Sequence, residues 1–280
     1  MLIVTKNKVS CYKKICYDIY EDLSLKKFLS LCYNASMKLL IPNAKELNTN
    51  QDAFANQALG TKSKDILETM LDYSVEDLAN FYKINPVKAD QEWLRWQRMA
   101  NKDARYYPAW MLYDGLMYRY LKRQNVSQTE KDYLDKHLRI ATAFYGLIKP
   151  TELIAPHRLD FQGNLKINDT SLKQFWRKAY DEQVQEDDLI ISLLSSEFEQ
   201  VFSPNIRKRM IKVIFMENRS GKLKIHSTIS KKGRGRLVSL MAEKQIETIE
   251  QIKSLTFDGF KYSPKHSDDK TVTFIREEEE

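Results

Sequence analysis

The sequence predicts a mixed α/β fold in a single compact domain, and three observations carry that expectation. Short apolar runs alternate with segments of helical period along most of the chain. No internal repeat or linker-like stretch divides it. Its 280 residues, 42% hydrophobic and 30% charged, are enough to bury a substantial core. Other classes drop out. No run approaches the roughly 18 apolar residues of a membrane span. All three cysteines, Cys11, Cys16 and Cys32, precede Met37, so neither a disulfide framework nor a Cys-based zinc site supports the main fold. A reducing cytoplasm fits that usage.

The elements follow in order. Residues 1–36 lack the basic start and apolar core of a signal peptide and read as an appended leader, which leaves 37–280 as the domain. Met37 opens a short buried strand that breaks at Pro42 and Asn43. Ile66, Leu67, Met70 and Leu71 give 61–73 helical spacing. Ser74 and Asp77 then resemble a capping start for Leu78, Phe81 and Tyr82, and Pro86 opens a third helix carrying Trp93 and Trp96. Ser127 and Glu130 form a capping box for a helix through Tyr133, Leu134 and His137. Residues 138–144 fit either its continuation or a buried strand, and period alone does not choose.

In the second half, Leu172, Phe175, Trp176 and Ala179 put one apolar face on a helix over 171–184. A buried strand over 189–194 leads into a helical turn at Ser195, Ser196, Glu197 and Phe198. Strands at 210–216 and 223–229 are joined by a hairpin signal at Asn218, Arg219, Ser220 and Gly221. Helices at 236–245 and 249–255 precede a last hairpin that pairs 259–262 with 272–275.

Charge is unevenly distributed. The formal net charge is +7, and between Pro204 and Arg236 cations face the single acid Glu217, whereas the chain closes on Glu277, Glu278, Glu279 and Glu280. Two readings of the cationic run stand: solvated element edges, or a surface facing a polyanion. Within it, Lys231, Lys232, Gly233, Arg234, Gly235 and Arg236 read as a flexible basic loop, too short for a nucleotide fingerprint. A second signature lies at Tyr145 and Gly146, Lys149 and Pro150, then Pro156, His157 and Arg158.

These signatures give two candidate sites. A turn at Gly146 leading into a helix presents backbone N–H groups and a positive helix end to a phosphate, with Lys149 as a mobile charge beside it. Gly146, Lys149, Arg158, Lys231, Lys232, Arg234 and Arg236 thus form a duplex DNA-binding set, on the premise that they gather on one concave wall. Such contacts read no sequence and weaken with salt. The alternative set is enzymatic: Lys45, Arg158, Asp160, Ser195 and Glu197, with His226, supply an anion clamp, an acid or base and a nucleophile for a nucleotide or other phosphorylated small molecule. Blander roles exist for each. Ser195 caps a helix whose first turn Glu197 stabilises, Arg158 pairs with Asp160, Lys45 ends the first strand, and His226 alternates with apolar residues on a strand.

Metal chemistry has less to stand on. His137, His157, His226 and His266 show no metal-ligand spacing, so iron would have to use Glu152 or Asp160 with His157, and no metal site or cofactor is assigned. Trp93, Trp96, Trp110, Tyr106 and Tyr107 are either core residues or platforms for exposed bases.

A family pattern is carried by Pro42 through Lys45, Gly115 with Tyr118, Tyr145 and Gly146 with Lys149 and Pro150, and Pro156 through Leu159. Leu172 with Phe175 and Trp176, Ser195 through Glu197, Lys231 through Gly235, and Gly259 and Phe260 with Tyr262 complete it. In order and spacing this resembles the YaaA peroxide-stress family from Met37 to the C-terminus. The resemblance implies a cytoplasmic protein of the mixed α/β "cantaloupe" fold. It also implies a helix-hairpin-helix element, best matched at 144–150, beside a basic cleft that binds duplex DNA. The implied role is protection against hydrogen peroxide by limiting iron-dependent damage, with an iron-binding protein as a further alternative.

Overall fold

The computed structural model describes residues 36–277, and its first strand shows how the centre is built. In Met37–Pro42 (β1), Met37, Leu39 and Ile41 are buried in one apolar cluster and Leu40 in another, the alternation of a strand covered on both faces. The leader expected over 1–36 lies outside the described residues except for Ser36.

Three helices come next, Thr61–Leu71 (α1), Val75–Tyr82 (α2) and Pro86–Ala100 (α3). Ser74 and Asp77 form a reciprocal capping box ahead of α2, and Asn85 caps α3 with Pro86 in its first turn. Between them Lys83 turns the chain in the left-handed region at φ 53°. Ser127 and Glu130 close the expected box before Gln128–His137 (α4). Leu138–Thr142 (β2) is a strand, because its backbone pairs in parallel with β1 from Leu39 opposite Leu138 to Pro42 opposite Ala141.

The helical hairpin expected at 144–150 is instead a β-turn region and a strand. Gly146–Ile148 (β3) folds back antiparallel on β2, with Thr142 opposite Gly146. Gly146 has φ +82°, and a Cβ there would lie 2.8 Å from the Trp176 ring, so the position needs glycine and is buried, away from any phosphate. The other strands of the central sheet and the longer helices that follow are Leu172–Val184 (α5), Leu189–Ser192 (β4), Pro204–Arg209 (α6), Met210–Arg219 (β5), Lys222–Lys224 (β6), Ser227–Glu243 (α7), Ile249–Lys253 (α8), Thr256–Phe257 (β7), Phe260–Tyr262 (β8) and Thr271–Glu277 (β9). The strand expected over 223–229 is therefore short. The basic segment 231–236, expected as a loop, lies inside α7, and His226 is the extended residue before that helix.

Nine strands form the central sheet in the order β7-β8-β9-β5-β4-β1-β2-β3, with β6 paired to β5 off that path, and two two-stranded ribbons lie apart from it. Strands β9, β5, β4, β1 and β2 run parallel, and the antiparallel pairings are at the margins and at β6. One face is covered by α4, α7 and α8 through Leu134, Leu237, Met241 and Ile252, the other by α1, α2, α3 and α5 through Met70, Leu78, Trp96 and Tyr180. This mixed α/β domain has its core in two layers on either side of the sheet, each fully buried Leu or Phe contributing about 2 kcal/mol. Among the described residues no helix is long and apolar enough to cross a membrane.

Chain order reverses at β1, since β2 lies on one side of it and β4 on the other. The crevice outside the carboxyl ends of β1 and β4 is therefore a topological switch point, where open α/β sheets hold their ligands.

Candidate functional site

The segment 155–162 runs past this switch point like a strap, and the side chains around it define the site. His157 is fully buried. Its ring lies 5.2 Å from those of Phe144 and Tyr145 and 6.3 Å from Trp96, and desolvation drives its pKa down to about 4. The neutral imidazole donates its Nδ1–H to the Ala155 carbonyl at 2.8 Å, which fixes the strap. Arg158 sits 5.8 Å over the Tyr82 ring and within electrostatic reach of Glu92. The expected Arg158 to Asp160 pair does not form, because Asp160 is taken by Lys45 at 2.8 Å, and Lys45 also donates to Gln162 Oε1 at 3.3 Å.

Ser195 and Glu197 follow β4. Ser195 begins the helical turn Ser196–Glu199 through its backbone, but its side chain caps nothing; its hydroxyl donates to Glu197 at 3.4 Å. Phe161 of the strap meets Phe198 edge-on at 5.3 Å, so the two loops are fastened together. Four of the enzymatic set thus form two closed pairs, Lys45 with Asp160 and Ser195 with Glu197, while Arg158 turns to Tyr82 and Glu92 and His226 lies before α7.

The DNA-binding set divides between layers. Arg158 stands against α2 and α3, whereas Lys231, Lys232, Arg234 and Arg236 belong to α7 on the opposite face of the sheet. Lys149 is exposed just after β3. The glycines between the α7 cations are contacts, not loop punctuation: a Cβ on Gly233 would lie 2.5 Å from Phe215, and one on Gly235 would lie 2.2 Å from the Met117 carbonyl oxygen. Helical periodicity then fans the cations around α7. Lys231 is exposed, Lys232 lies 5.1 Å from the Tyr120 ring, and Arg236 pairs with Asp258 at 3.1 Å. Burial lowers the pKa of Arg234, with Glu199 acting in the opposite direction.

Another group of cations converges, and sequence reasoning passed over it. On α3, Ala89, Trp96 and Met99 face the core, which turns Arg95 and Arg98 outward. After the helix, the N–H groups of Asp103 and Ala104 both donate to the Arg98 carbonyl, at 3.0 and 3.2 Å, and Tyr106 bridges to Phe54. The chain doubles back and brings Arg105 to the same hollow. The resulting cavity, about 460 Å³, is lined by Arg95, Arg98, Arg105, Asp103, Thr49, Ala104, Tyr107 and Pro156, the residue before His157 on the strap. A shallower hollow of about 260 Å³ shares Arg95 and Arg98.

The arginines differ in how they are held. Arg95 bonds Glu92 at 2.5 Å. Burial raises the pKa of Glu92, while Arg95 and Arg158 pull it back down. Arg98 and Arg105 are exposed and form no ion pair among the described residues. Guanidinium groups arranged around a concavity suit phosphate, which they grip with paired N–H donors. The one available signal in the sequence was the spacing of Arg95 and Arg98 opposite Trp96 and Met99.

Among the described residues, no three His, Cys, Asp or Glu side chains gather as for a metal ion. Trp96, Trp110, Tyr106 and Tyr107 are buried and Trp93 is half-buried, so these aromatics serve the core and not exposed bases.

Comparison with known proteins places this geometry among relatives. A family model described as peroxide stress protein YaaA matches residues 37–266. A UPF0246 protein of Streptococcus sanguinis (strain SK36) is 47% identical over 242 residues, 86% of this chain and 100% of the relative. One from Streptococcus gordonii (strain Challis) is 45% identical over 240 residues, covering 86% and 98%. One from Streptococcus agalactiae serotype III is 45% identical over 242 residues, covering 86% and 99%.

Proposed function

The chain belongs to the peroxide stress protein YaaA family, and from that premise we propose that it protects the cytoplasm by binding duplex DNA with little sequence preference, limiting iron-dependent damage to it. The proposed contact surface is the side of α3 that carries Lys88, Arg95 and Arg98, together with Arg105. Positions 88, 95 and 98 recur at helical spacing along one side of the helix, spanning about 15 Å. Lys83 and Lys88 flank the α2–α3 turn and are exposed. The short turn joins α2 to α3, and the cations of α3 lie along one side of that helix.

The observation that carries this reading is the row of Lys88, Arg95 and Arg98 along the open side of α3, with Arg105 folded back beside it. Guanidinium to phosphate contacts fix position without reading bases, so affinity is expected to be nearly indifferent to sequence. Neutralising roughly four phosphates gives a slope of about −4 in log affinity against log salt. Fluorescence anisotropy with two unrelated duplexes across a salt series tests it. Similar affinities with that slope support the reading; no binding at low salt, or affinity insensitive to salt, overturns it.

A further inference from the structure

We propose that the arginine-lined cavity is a receptor for a phosphomonoester, the group found at a 5′-phosphorylated DNA end and on a free mononucleotide. The inference rests on the phosphate-partner reading above and deepens it. Phosphates inside a duplex are diesters of single charge, flanked on both sides by sugar and displayed on a convex surface. They meet cations on an open face. A terminal phosphate has one ester link, carries close to two charges near neutral pH, and protrudes far enough to enter a recess.

The cavity fits the second description. Arg95, Arg98 and Arg105, set against Asp103 and the Glu92 carboxylate bound to Arg95, leave the hollow one net positive charge, carried by the two unpaired guanidiniums of Arg98 and Arg105, which suits an anion with more than one phosphate oxygen free to accept. At about 460 Å³ it falls in the range of sites that enclose small ligands, roughly 300 to 1,000 Å³. Tyr107, Pro156 and Ala104 supply apolar wall for the sugar that follows the phosphate. Arg95 is held by Glu92, so one guanidinium is fixed in place, while the exposed Arg98 and Arg105 are free to close on the ligand.

The test uses the full chain and four probes: one duplex with 5′-phosphate ends, the same duplex with 5′-hydroxyl ends, adenosine monophosphate and inorganic phosphate. The wild type is expected to hold the phosphorylated duplex about tenfold more tightly than its hydroxyl counterpart, and R98Q/R105Q to lose that preference. Displacement of the duplex by adenosine monophosphate with no preference for phosphorylated ends would identify the free mononucleotide as the source. A preference that survives in R98Q/R105Q overturns the assignment, as does the absence of both end preference and displacement. The two readings fail separately. Duplex binding that ignores end chemistry and mononucleotide sinks the receptor alone; mononucleotide or phosphate binding that depends on Arg98 and Arg105, with no duplex binding at all, sinks the duplex reading and keeps the receptor.

Discussion

The basic segment 231–236 and the arginines of 95–105 make opposite use of positive charge. The first is dense in sequence and dispersed in space: α7 wraps its cations around an axis, Gly233 and Gly235 press the helix against Phe215 and Met117, and Arg236 is taken by Asp258. The second is sparse in sequence and convergent in space, because the turn after α3 folds Arg105 back toward Arg95 and Arg98. Local charge density along a chain is thus a poor guide to charge density on a surface, and a turn that reverses direction counts for more.

The comparison is broken most directly by substitutions at its packing contacts. Gly235→Ala sets a methyl group against a backbone oxygen that cannot move without displacing the turn Leu116–Arg119, so a loss of about 3 kcal/mol is expected in urea unfolding. A change near zero would mean that α7 does not need its glycines for contact.

On the arginine side, His157 gives the strap a pH signature of similar size. Its native pKa of about 4 lies below the ordinary value near 6.5. Between those values the unfolded chain takes up a proton that the native state refuses. Stability therefore falls as pH drops from about 6.5 to about 4, by up to about 3 kcal/mol. His157→Gln is expected to flatten that slope whatever it does to stability at pH 7; an unchanged slope would show that other groups carry it.

Smaller effects sharpen the contrast. Ser74→Ala removes the cap of α2 and is expected to cost about 1 kcal/mol, with duplex affinity altered only if the α2–α3 turn takes part in binding. Lys231→Gln, at an exposed α7 position, is expected to change duplex affinity less than about twofold. A larger loss would restore α7 to the binding surface.

Much of the fold was legible. Capping pairs at Ser74 and Ser127, Pro86 at a helix start, the turn at Gly221 and the apolar run of β1 are local signals that the tertiary structure keeps. Two failures share a cause. Gly233 and Gly235 were read as loop punctuation because sequence does not show that a neighbouring backbone approaches them closely, and Gly146 was assigned to a helical hairpin although it begins a strand. Residues 138–144 were undecidable locally, since the strand character of 138–142 comes from pairing with β1 and 143–144 enter the turn that follows. At the site, Lys45, Arg158, Asp160, Ser195 and Glu197 did fall near the sheet's switch point, but their pairings depend on loops brought together by Phe161 and Phe198. The α3 arginines escaped notice because their convergence is made by the backbone of 101–105.

The central claim is that phosphate is met by the α3 arginines and not by the α7 run. Duplex affinity measured across a salt series for R98Q/R105Q beside K231Q/K232Q, two charges removed in each, tests it in one experiment. The account predicts a slope shallower by about 2 and an affinity loss of about tenfold or more for the arginine pair, with the lysine pair close to wild type. The reverse ranking would contradict it.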